Sequence, residues 1–330
     1  MTRPHLLLGI DIGGTKTSVC LGGRDGAIHA ARRLPTDPRR GPDDWLARVR
    51  HLADQVLAKA GRTLSDVDAV GLSCPGPMSV ARGMMLGPCN LPGWDAVPAV
   101  DMLRGAFQRP TFINNDANAA ALAEYLYGSR RGTPNLVYLT MSTGVGGGVV
   151  VDGRLVQGAC DMAGEVGHFV LDPAGPPCLC GLRGCFEAFC GGLSVARRLQ
   201  ERIVRERRRT AILDEAGGDP ERIDFRAILA AVRRDDPLAL EEWDAFVERL
   251  AQGIGIVIMT LNPQAIVLGT IAIHAGDRLL GPVRERLPKY AWKTAIEACE
   301  IVPSALGEKI ADLAALAVAR TGVDEDAGRR

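Results

Sequence analysis

The strongest restriction on the fold is a repeat of strand, glycine turn and strand, which occurs once in each half of the chain. A short, continuous apolar run is typical of a strand buried on both faces, and glycines permit the tight turn that follows it. Two repeats of the same shape predict two related halves that face each other across a cleft. The first repeat is His5–Asp11, Gly13-Gly14 and Thr17–Leu21, and the second is Leu136–Met141, Thr143–Gly148 and Val149–Val151.

The rest of the pattern predicts an α/β protein with two domains. Stretches with helical spacing alternate with buried strands, and 330 residues are more than one core usually serves. The predicted helices are Asp43–Ala60, Ala117–Tyr127, Ala251–Leu261 and Lys309–Ala319, the predicted strands are Val67–Leu72, Thr111–Ile113 and Ala265–Leu268, and Leu193–Leu250 is predicted to be helical with a break at Gly217-Gly218-Asp219-Pro220. The polar end, Asp324–Arg330, is predicted to fray.

Composition excludes several classes of protein. The 39 basic and 39 acidic residues cancel, so the chain has no general field for nucleic acid or an anionic membrane. The longest apolar candidate, Ile254–Leu261, is far shorter than the roughly 20 residues of a membrane helix. Nine cysteines without an export signal predict reduced thiols and a cytoplasmic protein. We therefore expect neither nucleic acid nor a membrane as partner.

The first glycine turn has the residue types of a phosphate site. Its glycines let backbone N–H groups approach a phosphate closely, and the hydroxyl and ammonium groups that follow add donors. A carboxylate at the end of the strand can hold a hydrated Mg²⁺ beside that phosphate. The alternative is an ordinary hairpin turn with solvated side chains. The residues concerned are Asp11, Gly13, Gly14, Thr15 and Lys16.

The second glycine turn has the same chemistry. It offers the hydroxyl of Thr143 and four glycines, among them Gly144, Gly146 and Gly147. A single turn of this kind is weak evidence for a ligand. Two turns, each behind a buried strand, indicate a polyphosphate held between two hairpins.

A polar cluster, Asn114-Asn115-Asp116-Ala117-Asn118, lies between a short strand and an Ala-rich helix. Asn and Asp are good N-caps, so one interpretation is a cap of that helix. The other is a carboxylate, Asp116, that faces a cleft from the end of a strand and takes a proton from a substrate hydroxyl. Local sequence leaves both interpretations open.

Three closely spaced cysteines and an upstream histidine predict a metal site. His168, Cys178, Cys180 and Cys185 form a set that suits tetrahedral zinc with no open position, hence a structural ion. The alternative is free thiols in a Gly-rich loop. Glu165 lies three residues before His168, and Glu187 lies two residues after the last of these cysteines. These carboxylates suit sugar hydroxyls, although each taken singly resembles an ordinary surface or cap residue.

These motifs, in this order, resemble the ROK family of sugar kinases and related repressors within the actin-like ATPase superfamily. The resemblance spans about residue 8 to residue 318. The motifs that carry it are Asp11–Lys16, Gly71–Pro77, Asn90–Trp94, Asn115–Ala120, Thr143–Gly148, Gly164–His168, Cys178–Glu187 and Leu261–Gly269. The chain departs from the family pattern at Thr270, where a further glycine is usual, and at Asp161, where the family prefers a small residue or Gly.

The resemblance implies two actin-like (ribonuclease H-like) α/β domains with the active site in the cleft between them. It implies a smaller domain, 1–116 with about 307–330, and a larger domain, 117–306, that carries the zinc loop. It implies a homodimer. The implied roles are Asp116 as catalytic base; Gly76, Asn115, Asp116, Glu165, His168 and Glu187 at the sugar; Asp11, Gly13, Gly14, Thr15, Lys16, Thr143, Gly144, Gly146, Gly147 and Gly269 at ATP with Mg²⁺; and His168, Cys178, Cys180 and Cys185 at zinc.

The activity predicted on this basis is an ATP-dependent hexose kinase of carbohydrate metabolism, with a primary sugar hydroxyl as acceptor. Glucokinase, which makes glucose 6-phosphate for glycolysis, is the first expectation. N-acetylglucosamine, N-acetylmannosamine, mannose and fructose are alternative acceptors. A sugar-responsive repressor of the family would carry a DNA-binding domain ahead of the first turn, whereas about ten residues precede Gly13 here. A sensor without catalysis would not need Asp11 and Asp116.

Overall fold

A computed structural model describes residues 5–328 of the chain. The strands are β1 (Leu6–Ile12), β2 (Lys16–Gly23), β3 (Ile28–Pro35), β4 (Val67–Cys74), β5 (Met78–Ser79), β6 (Met84–Met85), β7 (Thr111–Asn115), β8 (Leu136–Met141), β9 (Val145–Val151), β10 (Arg154–Leu155), β11 (Ala265–Leu268) and β12 (Glu300–Pro303). The α-helices are α1 (Gly41–Lys59), α2 (Ala99–Phe107), α3 (Asp116–Tyr127), α4 (Phe186–Cys190), α5 (Gly192–Glu206), α6 (Ala211–Glu215), α7 (Phe225–Arg233), α8 (Pro237–Leu261), α9 (Thr270–Ala275), α10 (Asp277–Arg286), α11 (Lys293–Glu297) and α12 (Ile310–Gly328).

Two five-stranded sheets share one strand order. The first sheet runs β3-β2-β1-β4-β7, and the second runs β10-β9-β8-β11-β12. In each sheet the strand before the glycine turn lies in the middle, with the strand after the turn on one side of it. β1 pairs antiparallel with β2 and parallel with β4, and β8 pairs parallel with β11. The predicted α/β class and the predicted repeat of shape are therefore confirmed.

The chain divides into two compact units. The first comprises the described residues within Met1–Pro134, Gly148–Gly164 and Ala305–Arg330, and the second comprises Asn135–Gly147 and Glu165–Ser304. The domain boundaries predicted from the sequence are 1–116 with about 307–330 for the smaller domain and 117–306 for the larger. Those boundaries remain a prediction.

Helices cover both faces of the first sheet. Leu6, Leu8 and Ile10 of β1 belong to one buried core with α1 and α2. Leu7 belongs to a second core with α3 and α12. Because alternate residues of a strand point to opposite faces, a strand covered on both sides must be apolar throughout. This burial explains the continuous apolar run in the sequence.

The second glycine turn is shorter than predicted. The strand β9 already begins at Val145, so Gly146, Gly147 and Gly148 lie in a strand and not in the turn. Gly148 faces the start of α3, where an added Cβ would lie 2.6 Å from the carbonyl oxygen of Ala117. Close approach of strand to helix, and not turn geometry, requires that glycine.

The helical part of the second compact unit also differs from the prediction. The span Leu193–Leu250 holds most of α5, all of α6 and α7 and the start of α8, and α8 continues without interruption to Leu261. The predicted separate helix Ala251–Leu261 is thus the second half of one 25-residue helix. Among the helices of residues 5–328, none combines the length and the apolar composition that crossing a bilayer requires.

The last helix is longer than predicted. α12 runs to Gly328, nine residues beyond the predicted end at Ala319, and the predicted fraying from Asp324 is wrong as far as Gly328. Asp324 forms an ion pair with Arg24 and a second with Arg320, one helical turn earlier. These ion pairs stabilise a polar helix end that the local sequence predicts to fray. Residues 329–330 lie outside the described part of the chain.

Candidate active site and metal centre

The first glycine turn connects β1 to β2 and is tightly packed. The N–H of Gly13 donates to the carbonyl of Lys16 at 2.9 Å, and the N–H of Thr36 donates to the carbonyl of Thr15 at 3.0 Å. A Cβ on Gly14 would lie 2.8 Å from the carbonyl oxygen of Asn90. Only glycine fits there, so the loop that contains Asn90 lies directly against the turn.

A cluster of carboxylates lies beside this turn. The hydroxyl of Ser73 donates to Asp11 at 2.7 Å. The pKa of Asp11 is raised from 3.8 to about 7, first because burial removes water from the carboxyl. The Ser73 hydrogen bond lowers this pKa, whereas the negative charges of Asp116 and Asp312 raise it. Such a concentration of negative charge favours a cation, and a hydrated Mg²⁺ fits the donor set.

Asp312 is the member of this cluster that the sequence did not reveal. It lies in the first turn of α12 and is buried. Its carboxylate accepts a hydrogen bond from the hydroxyl of Ser18 and pairs with Arg33 at 3.3 Å. No motif surrounds it in the Ala-rich helix, so no local signal indicated its role.

The polar cluster after β7 divides into a cap and an exposed carboxylate. Asn115 is the N-cap of α3, and its side chain accepts from the N–H groups of Ala117 at 2.9 Å and Asn118 at 3.3 Å. Asp116 is the first residue of the helix, and its side chain is exposed. One carboxylate oxygen accepts from the N–H of Ala117 at 2.8 Å. The cap interpretation therefore describes Asn115, while Asp116 presents its carboxylate to solvent.

Gly76 lies close to this cap. A Cβ on Gly76 would lie 3.2 Å from the side-chain nitrogen of Asn115. The peptide bond between Gly76 and Pro77 is cis. The structure thus brings together two of the residues predicted to contact a sugar, although they are far apart in the sequence.

The second glycine turn is held by a side chain from α4. The N–H of Val145 donates to the carboxylate of Glu187 at 2.9 Å, and a Cβ on Gly144 would overlap that carboxylate. The N–H of Leu193 donates to the carbonyl of Thr143 at 2.9 Å. Glu187 therefore lies against the turn, a contact that its spacing from the cysteines did not predict.

The predicted zinc ligands converge on one point. The ligand atoms of His168, Cys178, Cys180 and Cys185 all lie within 4.8 Å of one another. The Sγ of Cys178 is 3.7 Å from Nδ1 of His168, and the Sγ atoms of Cys180 and Cys185 are 3.7 Å apart. Zn–S bonds of about 2.3 Å in a tetrahedron place two sulfurs about 3.8 Å apart. The cluster fits a structural zinc ion, which Nδ1 of His168 and the three Sγ atoms would hold.

A tight loop holds the three cysteines. The N–H of Cys178 donates to the carbonyl of Leu182 at 2.8 Å. Gly181 and Gly184 have φ of 92° and 67°, backbone conformations that other residues adopt only with strain. Cys178 and Cys185 are buried, whereas Cys180 is exposed. The two glycines explain how the loop folds back on itself.

Glu165 and His168 lie at the two ends of a single turn of 3₁₀ helix. That helix is Val166–His168, and Glu165 directly precedes it. Burial raises the pKa of Glu165, His168 lowers it, and the nearby carboxylate of Glu187 raises it. The structure therefore brings Glu165, His168 and Glu187 to one region of the second compact unit.

A cavity of about 520 Å³ lies in the second compact unit beside the second glycine turn. Its size suits a small ligand. Its lining includes Ser142, Thr143, Leu193, Asp224, Phe225 and Thr270. Gly269 precedes Thr270, and its N–H donates to the carbonyl of Leu139. The walls formed by α5 and α7 were not predicted, because their apolar residues have the pattern of an ordinary helix core.

The protein is of the α/β class and contains two five-stranded sheets of matching strand order, each with a glycine turn. It also carries a His–Cys₃ cluster. The chain belongs to the ROK family, whose model matches residues 7–321. It is 33% identical over 312 residues to a glucokinase of Thermotoga maritima, covering 94% of this chain and 96% of the relative. It is 34% identical over 262 residues to an N-acetylmannosamine kinase of Escherichia fergusonii, covering 79% of this chain and 81% of the relative.

A solved structure has the same fold. The glucokinase of Streptomyces griseus, in complex with glucose and AMPPNP, superposes with a TM-score of 0.80 at 26% sequence identity. The superposition covers 96% of this chain and 99% of that protein. The fold assignment thus rests on both sequence and structure.

Proposed function

We propose that the chain is a glucokinase, which transfers the γ-phosphoryl group of ATP to the primary hydroxyl of glucose. As a member of the ROK family whose relatives are sugar kinases, it is an ATP-dependent sugar kinase. The observation that carries the proposal is the exposed carboxylate of Asp116. It begins α3 and lies close enough to Asp11, beside the glycine turn, to raise the pKa of that residue.

The nucleotide site is proposed from the glycine turns, the carboxylate cluster and the cavity. Backbone N–H groups of the turns suit phosphate oxygens. Mg²⁺ held near Asp11 would supply neutralisation of phosphate charge. The cavity beside Thr143 and Thr270 suits a nucleoside, because its lining is partly apolar. The proposed nucleotide residues are Asp11, Gly13, Gly14, Thr15, Lys16, Thr143, Gly144, Gly146, Gly147 and Gly269.

The sugar site is proposed to consist of Gly76, Asn115, Asp116, Glu165, His168 and Glu187. Carboxylates accept hydrogen bonds from sugar hydroxyls. With Nδ1 of His168 turned to the metal ligands, Nε2 is left to meet a hydroxyl. The proximity of Asn115 to Gly76, and of Glu165 to Glu187, supports this assignment.

The proposed step is a direct transfer. Asp116 accepts the proton of the sugar hydroxyl as the hydroxyl oxygen forms a bond to the γ-phosphorus, and the bond from that phosphorus to the bridging oxygen of ADP breaks. Positioning and charge neutralisation dominate such transfers, so no covalent intermediate with the protein is needed. ADP and a sugar 6-phosphate are the products.

The choice of glucose is tested by an assay of ADP release across a panel of hexoses. N-acetylmannosamine is the second candidate, since one relative is a kinase for that sugar. We expect the highest kcat/KM with glucose. A higher value with N-acetylmannosamine, or with N-acetylglucosamine, mannose or fructose, would replace glucose by that sugar. Formation of a homodimer stays a prediction, which a solution mass measurement tests.

Replacing Glu165 with Gln should weaken sugar binding far more than ATP binding. A hydrogen bond to a charged acceptor contributes about 1.5–3 kcal/mol, so glucose affinity should fall about 10–100-fold. Calorimetry with glucose and with an ATP analogue measures both affinities. Glu201→Gln, an exposed glutamate on α5, is the control. Unchanged glucose affinity in the Glu165 variant would remove this residue from the sugar site.

Replacing Asp11 with Asn should weaken binding of Mg²⁺ and ATP but stabilise the ligand-free protein at alkaline pH. The folded pKa of about 7 exceeds the ordinary 3.8, so ionisation of Asp11 disfavours the folded state. This penalty is absent below about pH 4, grows as pH rises and is complete above about pH 7. The variant's gain in Tm should therefore be larger at about pH 8 than at about pH 5. Equal Tm values for the wild type and the Asp11 variant at both pH values would contradict this prediction.

A further inference from the structure

The segment that leads to Glu165 contains an aspartate in an unusual backbone conformation. Asp161 has φ of 60°, in the left-handed region that favours glycine. The segment is irregular, and two glycines with φ of 77° and 93°, Gly158 and Gly164, lie on either side of Asp161. A glycine at 161 would adopt this conformation without strain. The side chain of Asp161 makes a contact that a glycine could not make.

That side chain connects two loops of the first compact unit. The N–H of Val80 donates to the carboxylate of Asp161 at 2.9 Å, across 81 residues of sequence. Val80 directly follows β5, in the hairpin that β5 forms with β6. A hydrogen bond from a backbone N–H to a carboxylate is stronger than one between neutral groups. The bond joins the hairpin to the segment before Glu165.

Each end of this connection lies close in sequence to a proposed sugar contact. The hairpin begins at Met78, two residues after Gly76, and the N–H of Leu86 donates to the carbonyl of Pro77 at 2.9 Å. Glu165 follows Asp161 by four residues. The hydrogen bond thus restrains both loops that lead to these contacts.

We propose that Asp161 is a positioning residue for the sugar, which holds the loop of Gly76 and the segment before Glu165 in their binding conformation by its hydrogen bond to Val80. The inference rests on the proposed function and adds a residue to it. Asp161 is not a catalytic residue. Loss of its carboxylate should raise KM for the sugar and leave kcat and KM for ATP unchanged, because the N–H of Ala117 holds the Asp116 carboxylate and the proposed nucleotide residues lie outside these two loops.

Three variants separate the hydrogen bond from the backbone conformation. Asp161→Gly removes the carboxylate and relieves the backbone. Asp161→Asn keeps an oxygen that accepts from Val80, and Asn also tolerates positive φ. Asp235→Gly is the matched control, because Asp235 has φ of 55° and is exposed between α7 and α8. Its carboxylate forms no hydrogen bond with the described residues.

The expected result is a rise of about 10-fold in KM for glucose in Asp161→Gly, the size of one charge-assisted hydrogen bond, with kcat, KM for ATP and Tm close to wild type. Asp161→Asn should restore KM for glucose to within about 3-fold of wild type, and Asp235→Gly should not change it. An unchanged KM for glucose in Asp161→Gly would overturn the proposal. So would a parallel loss of kcat, both KM values and Tm, since that pattern indicates a role in folding alone.

Assays of the wild-type protein separate failure of this proposal from failure of the proposed function. If it phosphorylates a hexose other than glucose, the choice of glucose fails, and the variants are compared on that hexose with the same expected pattern. If it neither binds nor phosphorylates any hexose, in calorimetry and in the ADP-release assay, both proposals are overturned.

Discussion

Replacing Asp116 with Asn should lower kcat by about 10²–10⁴-fold while glucose still binds, since this is the range for loss of a general base. Asn has nearly the same shape and keeps an oxygen that accepts from the N–H of Ala117, as Asp116 does at 2.8 Å. The start of α3 should therefore stay intact. What the amide lacks is the capacity to take a proton from the sugar hydroxyl. Steady-state kinetics and calorimetry with glucose measure the two effects separately.

The control for this prediction is Asp43→Asn. Asp43 is an exposed acid in the first turn of α1, in the same compact unit, so its replacement makes the same chemical change at a helix start without the proposed role. It should retain wild-type kcat. Near-normal turnover in purified Asp116→Asn would remove Asp116 from the mechanism.

Replacing Cys180 with Ser should remove zinc, lower Tm by at least about 5 °C and weaken glucose binding. Cys180 is exposed, so the change removes a ligand without opening a cavity in the core. Zinc bound to the folded state stabilises it by mass action, and a site of three remaining ligands binds the ion more weakly. Without the metal, Nδ1 of His168 is no longer fixed, so Nε2 loses its orientation toward the sugar.

The measurements are metal analysis, thermal unfolding and glucose calorimetry. Wild-type protein should contain about one zinc ion per chain, as expected for a single four-ligand site. Cys89→Ser, an exposed cysteine outside the cluster, is the matched control and should keep zinc and Tm. Active wild-type protein without zinc would refute the prediction. So would unchanged stability and unchanged sugar affinity after a chelator has removed the ion.

Elements that are buried on both faces, or that have a strong helical period, were predictable from the sequence. β1, β4 and α1 lie within a few residues of their predicted positions because burial imposes a local pattern. β3 was missed: it lies at the edge of the first sheet, and its charged, partly exposed side chains give little apolar signal. α2 has only nine residues, too few for a clear period.

For the candidate site, sequence reasoning found residues whose neighbours in sequence carry the chemistry. The four predicted zinc ligands are close in sequence, and the structure brings their ligand atoms within 4.8 Å of one another. The contact of Glu187 with Val145 was not predictable from the sequence, because the two residues lie 42 positions apart. The wall that α7 contributes to the cavity was also not predictable, because α7 is far in sequence from the glycine turn that it faces.

Local periodicity and short spacings in the sequence were enough to predict the α/β class, the repeated half, the family and the residues of each motif. Which motif residues share an environment became visible only in the folded structure. The charge of Asp312 raises the pKa of Asp11, and the carboxylate of Asp312 accepts a hydrogen bond from Ser18 across 294 residues. The carboxylate of Asp161 accepts from the N–H of Val80 across 81 residues. Such pairs are set by the packing of sheet, helix and loop, and not by local preference. Burial and neighbouring charge, which shift the pKa of Asp11, exist only once that packing has formed.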